Sequence, residues 1–319
     1  MAGMELRQVR YFVAVAEELN FGRAAERLLI AGPSLSQQIK ALERDLGVRL
    51  FDRDRRSVSL TTAGAALLPH ARALLEQAEG FQHHARRLSG SEPIRLGYVN
   101  WLPADLLART SAVAQVHIDA WVAPSHTQAM RVADGSLDLA VCWVRTADLE
   151  ELGLRCRLVG ADRLHAVAPG GDAGDIAARE TVVLVDEDTT SWSSWNRYAG
   201  QLARDTGVRA MRISDNGITG PAFFDHVRRT GRPVLNSPKG QTASVPPDLV
   251  RRPVVAPEIY WTWSLVWRRS DLRSEVLGVV DALCDGVGDL GTEGPDAWLP
   301  ADDPHRRPGP GAAAPADRR

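Results

Sequence analysis

The stretch GPSLSQQIKALERDLGVRLF, residues 32–51, sets an apolar stripe against an opening turn of small, uncharged polar residues. Leu35, Ile39, Leu42 and Leu46 recur at spacings of four, three and four, so one face of a helix can pack on a core. Pro33 at the first helical position and Gly47 at the end frame a helix of about three turns. Ser36, Gln37 and Lys40 fall on the other face, in a polar start running from Ser34 to Lys40.

Upstream, Leu6, Val9, Phe12, Val13 and Ala16 share a face of a helix over residues 6–19. Asn20 offers an N-cap oxygen to a second helix over 21–29, and Ala24-Ala25 lets another helix cross closely. Two short helices joined by a tight Gly-containing turn predict a helix-turn-helix. Downstream, Val48, Leu50, Val58 and Leu60 flank a charged run, the pattern of a β-hairpin wing. Arg53, Arg55 and Arg56 at its tip suit phosphates or a minor groove. Ser and Gln groups can hydrogen-bond base edges, while Lys40 suits a phosphate.

From Thr61 a long helix is expected, bent or locally broken at Pro69. Leu67, Ala71, Leu74, Ala78, Phe81, Ala85 and Leu88 alternate fours and threes, an a/d seam that asks for the same helix of a second subunit. Packing of this helix on its own domain is the alternative reading, and Leu67, Leu74, Phe81 and Leu88 are the candidate dimer contacts.

The length of 319 residues favours two domains, and 44% apolar content is that of a globular protein. Residues 1–90 hold 13 Arg/Lys against 10 Asp/Glu, a surplus too small to establish nucleic-acid binding, so local placement must do so. Only Lys40 and Lys239 are lysine among 38 basic residues. The absence of a membrane-length apolar run and of a basic-then-apolar start predicts a cytoplasmic protein without membrane contact. Three cysteines without a CxxC pair predict buried thiols and no metal cage.

After residue 92 the pattern changes. IRLGYV, VHIDAWVA, LDLAVCWV and LRCRLV, then TVVLVDE, MRISDN, RPVLNSP and YWTWSLVWR, predict two α/β lobes with largely parallel sheets. A helix over 274–284 follows, and the Gly, Pro and Asp content beyond it predicts disorder over 291–319. Gly286 to Gly291 spells GxGxxG, but a helix precedes it and a Pro-rich tail follows, so it is no dinucleotide loop. The chain has no GxSxG, HExxH or P-loop, and His83-His84 lies on a solvated face.

The run FGRAAERLLIAGPSLSQQIKALERDLGVRLFDRDRRSVSLTTAG, within residues 5–64, resembles the winged helix-turn-helix of LysR-type transcriptional regulators. The matching positions are Ala24-Ala25, Leu28, Pro33 to Ser36, Ile39, Leu42-Glu43, Leu46-Gly47, Leu50-Phe51, Arg53, Arg56, Leu60-Thr61 and Ala63-Gly64. The resemblance implies DNA contacts at Pro33, Ser36, Gln37 and Arg53, beside Ser34, Lys40, Arg55 and Arg56. Where family members commonly carry Gln before the Pro, this chain has Gly32, so either the half-site contact differs or Gln37 carries more of the readout. The implied layout is a DNA-binding domain over 1–64, a linker helix over 65–92 and an effector domain over 93–290 of periplasmic-binding-protein type. Its first lobe would be 93–167 and 261–290, its second 168–260. The family crevice would fall on Asn100, Trp101, Ser125, His126, Thr127, Trp143, Arg145, Trp192, Asn216 and Gly217. Trp143 also reads as core, and His126 as a helix cap.

The resemblance further implies a homodimer or homotetramer on double-stranded promoter DNA, contact with RNA polymerase and a small-molecule effector, by default an organic acid, with no cofactor. No catalytic constellation supports the rival reading of an enzyme or small-molecule-binding protein centred on the C-terminal domain.

Overall fold

In a computed structural model the protein is described over residues 5–28, 30–53, 58–87, 93–241 and 243–306. The chain divides into two compact units, residues 1–91 and 92–319.

The first unit is built on α1 (Leu6–Glu18), α2 (Phe21–Arg27) and α3 (Gly32–Leu46). Asn20 caps α2, its side-chain oxygen accepting from the N–H of Gly22 at 2.8 Å and of Arg23 at 3.0 Å. Val9, Phe12, Ala24, Leu35, Ile39 and Leu42 fill a common core. The stripe of α3 stops at Leu42, because Leu46 is 39% exposed where the helix runs out at Gly47. Gly47 closes it in the left-handed conformation, φ 71°. Leu6, on the expected face of α1, is likewise exposed.

The wing strands β1 (Phe51–Arg53) and β2 (Val58–Leu60) pair antiparallel, Arg53 opposite Val58. The turn between them, with Arg55 and Arg56, lies outside the described residues, as does the Arg53 side chain. Helix α4 (Thr62–Arg87) is helical throughout, Pro69 included. Leu67, Leu68, Leu74 and Leu75 are half-buried against the core of the same unit. Ala71 is buried there too. Phe81 stands 76% exposed. The side chains of His83, His84 and Ala85, and all of Leu88, lie outside the described residues.

The second unit carries two six-stranded sheets. Its elements begin with β3 (Ile94–Tyr98), α5 (Leu106–Thr110), β4 (Val116–Ile118), α6 (Ser125–Ala133), β5 (Leu139–Cys142), α7 (Thr146–Glu151) and β6 (Leu154–Arg163). Then come β7 (His165–Pro169), β8 (Ile176–Ala177), β9 (Val182–Asp186), α8 (Thr189–Thr206), β10 (Arg209–Ile213), α9 (Gly220–Thr230) and β11 (Val234–Leu235). The chain returns through β12 (Leu249–Val255), β13 (Glu258–Arg268), α10 (Ser274–Cys284) and β14 (Ala297–Trp298). Lobe I has the order β14-β13-β5-β3-β4 with β6 on β13, and lobe II has β10-β9-β11-β7-β12-β8.

The sheets are mixed where largely parallel ones are expected. β3 runs parallel to β4 and β5, but β13 is antiparallel to β5 and β6. The chain changes lobe at Leu164, between β6 and β7, and again between β12 and β13. Such a pair of return strands cannot be parallel, since each carries the chain across the same boundary in opposite senses. β13 is buried over nine of its eleven residues, so no alternation shows in its sequence.

The expected disorder is corrected for residues 291–306. β14 pairs parallel with β13, Ala297 opposite Glu258, and Trp298 and Leu299 are buried. Asp303, also buried, accepts from Thr262 Oγ1 at 2.7 Å and from Trp143 Nε1 at 3.3 Å. Trp298 Nε1 donates to Asp205 on α8 at 3.2 Å. The segment is therefore a strap across lobe I that reaches α8 of lobe II. Residues 307–319 lie outside the described residues.

Among the described residues no helix is long and apolar enough to cross a membrane, and no group of three or more His, Cys, Asp or Glu could hold a metal ion. The cysteines are free; Cys142 and Cys284 are buried and Cys156 is half-buried. Burial pushes the Cys156 thiol up to about 12 and the Cys284 thiol up to about 11, which leaves both poor nucleophiles.

Candidate nucleic-acid interface and effector crevice

Burial of Leu35, Ile39 and Leu42 turns the opposite face of α3 outward. Pro33, Ser34, Gln37 and Lys40 are exposed there, and Ser36 is half-buried. No side chain caps the start of α3, so its first N–H groups remain available to an acceptor. Lys40 makes no ion pair among the described residues, whereas Arg23 and Arg27 pair with Glu17 and Glu18 on the neighbouring helix.

Glu43 on α3, Thr61 and Gly64 brace the base of the wing. Glu43 Oε1 accepts from the N–H of Leu50 at 2.9 Å and of Phe51 at 3.2 Å. Thr61 Oγ1 donates to the Arg49 carbonyl at 2.6 Å and accepts from the Gly64 N–H at 2.9 Å. Gly64 passes so close that a Cβ there would lie 2.1 Å from the Leu50 carbonyl oxygen. These bonds give a physical reason for Glu43, Thr61 and Gly64 in the motif.

In the second unit a cavity of about 30 Å³ opens between the lobes. Lobe I contributes Val99, Asn100, Pro124, Ser125, Trp261 and Trp263; lobe II contributes Ser191, Trp192, Ser194, Trp195, Ser237, Pro238 and Lys239. Asn100, Ser125 and Trp192 are thus the sequence-predicted residues on its wall. Ser125 Oγ accepts from the Trp143 N–H at 3.2 Å, tying the end of β5 to the start of α6. Trp192 Nε1 donates to Asn216 Oδ1 at 3.1 Å, so Asn216 holds a wall residue without lining the cavity. Asn216 sits at φ 55°, left-handed backbone that Asn tolerates.

The others stand back. Trp101 stacks on Trp263 with centroids 6.0 Å apart, behind the wall. His126 Nδ1 lies 3.3 Å from Ser193 Oγ across the lobes, and burial together with Arg197 lowers its pKa. Thr127 is half-buried in the first turn of α6 and Gly217 packs beside His226; neither lines the cavity. Trp143 is core, stacked on Trp261 at 5.2 Å. Arg145 is engaged by Asp148 at 2.5 Å and Asp302 at 3.6 Å, so its charge is already answered.

Sequence reasoning missed Lys239, Ser237 and the pair Trp261 and Trp263. The signal available was Lys239 itself, one of two lysines in a chain that otherwise uses arginine. It sits in a short 3-10 turn, Pro238–Gly240, fixed by Asn236 Nδ2 donating to the Gly240 carbonyl at 2.9 Å. A Cβ at Gly240 would stand 2.1 Å from Asn236 Oδ1. Lys239 Nζ lies 5.0 Å from the Trp192 ring centroid, and burial lowers its pKa.

A family profile described as bacterial regulatory helix-turn-helix protein, lysR family, matches residues 6–65. The regulator TfdT of Cupriavidus pinatubonensis (strain JMP 134 / LMG 1197) is 35% identical over 192 residues, covering 57% of this chain and 82% of that protein. YnfL of Escherichia coli (strain K12), an uncharacterized HTH-type transcriptional regulator, is 40% identical over 146 residues, 43% of this chain. That match spans about half, 49%, of the relative's length. The crystal structure of CbnR, a LysR family transcriptional regulator, superposes with TM-score 0.53 at 21% identity, covering 90% of this chain and 100% of that chain. CbnR complexed with its target DNA superposes at 0.50 with 22% identity, covering 88% and 99%. The profile on the winged module, the likeness to TfdT and the two-lobed fold place this chain in the LysR family.

Proposed function

We propose that the protein is a sequence-specific transcriptional regulator that reads double-stranded promoter DNA through α3 and responds to a small molecule in the crevice between its lobes. The observation that carries this reading is the uncapped, polar start of α3, exposed on a buried apolar stripe and flanked by a braced wing. Exposed Ser34 and Gln37 suit base edges, and Lys40 suits phosphate. Pro33, Ser36 and the wing residues Arg53, Arg55 and Arg56 complete the interface. The target DNA named for CbnR supports the same use here.

The regulator acts in the cytoplasm as a homodimer or homotetramer, with Phe81 of α4 at the subunit contact and RNA polymerase as a promoter partner. A two-fold assembly matches a palindromic site. It is no enzyme and needs no cofactor. A cavity of about 30 Å³ holds one or two waters at most, so an effector enters by parting the lobes. It shifts the assembly only as far as its affinity differs between the open and closed arrangements. The test is selection of duplexes from fragmented genomic DNA by the full-length protein. Enrichment of fragments sharing an inverted-repeat motif is expected; no enrichment at any salt concentration would overturn the reading.

A further inference from the structure

Two buried residues of the strap, Trp298 and Asp303, each stand one ring behind the wall of the lobe crevice. Trp298 meets Tyr198 of α8 edge-on with centroids 5.3 Å apart, and Tyr198 stacks on the wall residue Trp195 at 5.7 Å. Asp303 accepts from Trp143 Nε1, and Trp143 stacks on the wall residue Trp261 at 5.2 Å. Tyr198 and Trp261 meet at 4.9 Å across the lobes, so the strap backs the seam where the lobes touch.

The same segment ties the lobes to each other. On lobe I the Thr146 N–H donates to the Asp302 carbonyl at 2.8 Å, and β14 pairs with β13. On lobe II Trp298 Nε1 reaches Asp205. Gln201, with its amide turned to satisfy both neighbours, accepts from the Ala301 N–H at 2.7 Å and donates to Asp302 Oδ1 at 3.2 Å. The first two turns of α8 carry Ser191, Trp192, Ser194 and Trp195 onto the cavity wall, so contacts on its second half fix where that wall stands. The hold of the strap itself is thin. Residues 293–296 are exposed, β14 is two residues long, and burial raises the pKa of the Asp303 carboxyl. A segment with few buried apolar groups lies at the low end of local stability and opens before the sheet that it covers.

We propose that residues 291–306 are a latch: docked, they pin α8 to lobe I and keep the crevice shut, and undocked they let the lobes part. This rests on the lobes parting, as the proposed function requires, and on no particular effector. Trp298 and Asp303 are its two catches, because each supports one of the tryptophans, Trp195 and Trp261, that the lobes bring together at the cavity. Release of the strap removes the backing of both rings at once.

The test is hydrogen exchange of full-length wild type, Trp298→Ala and Trp298→Phe, followed by mass spectrometry. In wild type the amides of residues 297–303 should exchange about tenfold or more faster than those of β13, as local opening of a thinly held segment requires. In Trp298→Ala, residues 190–198 and 259–263 should exchange about tenfold or more faster than in wild type, while β7 and α10 keep their rates. Trp298→Phe, which keeps a ring against Tyr198, should fall between the two and guards against misfolding of the alanine variant. Strap amides as slow as β13 in wild type, or acceleration throughout both lobes in Trp298→Ala, would make the segment a fixed part of the fold and overturn the latch. Acceleration confined to residues 297–306 would overturn it as well, since the crevice would then be indifferent to the strap. Enrichment of DNA by wild type is read separately, so failure of the latch leaves the regulator reading in place.

Discussion

A Cβ at position 64 would meet the Leu50 carbonyl oxygen at 2.1 Å, a backbone atom that cannot swing aside. Gly64→Ala should therefore lower the stability of the winged module by about 2 kcal/mol, as overpacking does, and a thermal melt of the full chain followed by helix signal would show it. Unchanged melting would mean that the wing can shift away from α4 freely. Glu43→Ala strips the acceptor from two N–H groups at the wing base, and a loss of about 1–3 kcal/mol is expected in the same assay. Both residues were legible in the sequence as motif positions, but their reasons were not. The contacts join residues 43 with 50 and 51, and 64 with 50, and only the folded hairpin shows them to be acceptor and obstacle. Lys239 was legible only as an oddity of composition, because the residues that surround it come from both lobes.

At the scale of elements, the surroundings of the α4 seam change along its length. Leu67 and Leu74 lean on the core of their own unit while Phe81 is largely exposed, so the heptad spacing conceals a change of neighbour along the helix. Phe81→Asp should dissociate the assembly in sedimentation velocity with little change in melting, whereas Leu74→Asp should lower melting as well. Identical sedimentation of Phe81→Asp and wild type would remove this residue from the dimer contact.

In sequence the strap of residues 291–306 has the look of disorder because Gly, Pro and Asp dominate it; buried Trp298, Leu299 and Asp303 and the pairing of β14 with β13 dock it. His305 Nε2 lies 2.8 Å from Ser264 Oγ, and burial lowers its pKa from 6.5 to about 4. A histidine depressed in the folded state contributes stability fully above pH 6.5 and loses it as pH falls toward 4. The loss should reach on the order of 2 kcal/mol near pH 5, and His305→Gln should flatten that part of the profile. Burial raises the Asp303 pKa, which opposes this slope only where that carboxyl itself takes up a proton. An identical slope in His305→Gln would assign the acid sensitivity to other groups.

For the whole molecule, the order of modules was readable because each has its own period: 3.6 residues in the reader, heptads in the linker, short apolar runs in the lobes. The mixed sheets were not readable, since the crossing strands β6 and β13 are made antiparallel by topology and carry no local mark of it. Under the proposed function, α3 reads bases through Gln37 and holds phosphate through Lys40. Its most direct test is fluorescence anisotropy on an enriched duplex and a scrambled one over a salt series, with Gln37→Ala and Lys40→Ala. Gln37→Ala should cost about 1–3 kcal/mol on the enriched duplex alone, and Lys40→Ala should weaken both and reduce the salt slope by about one. Equal losses on both duplexes for Gln37→Ala, or no loss for either variant, would contradict the placement of α3 against the bases.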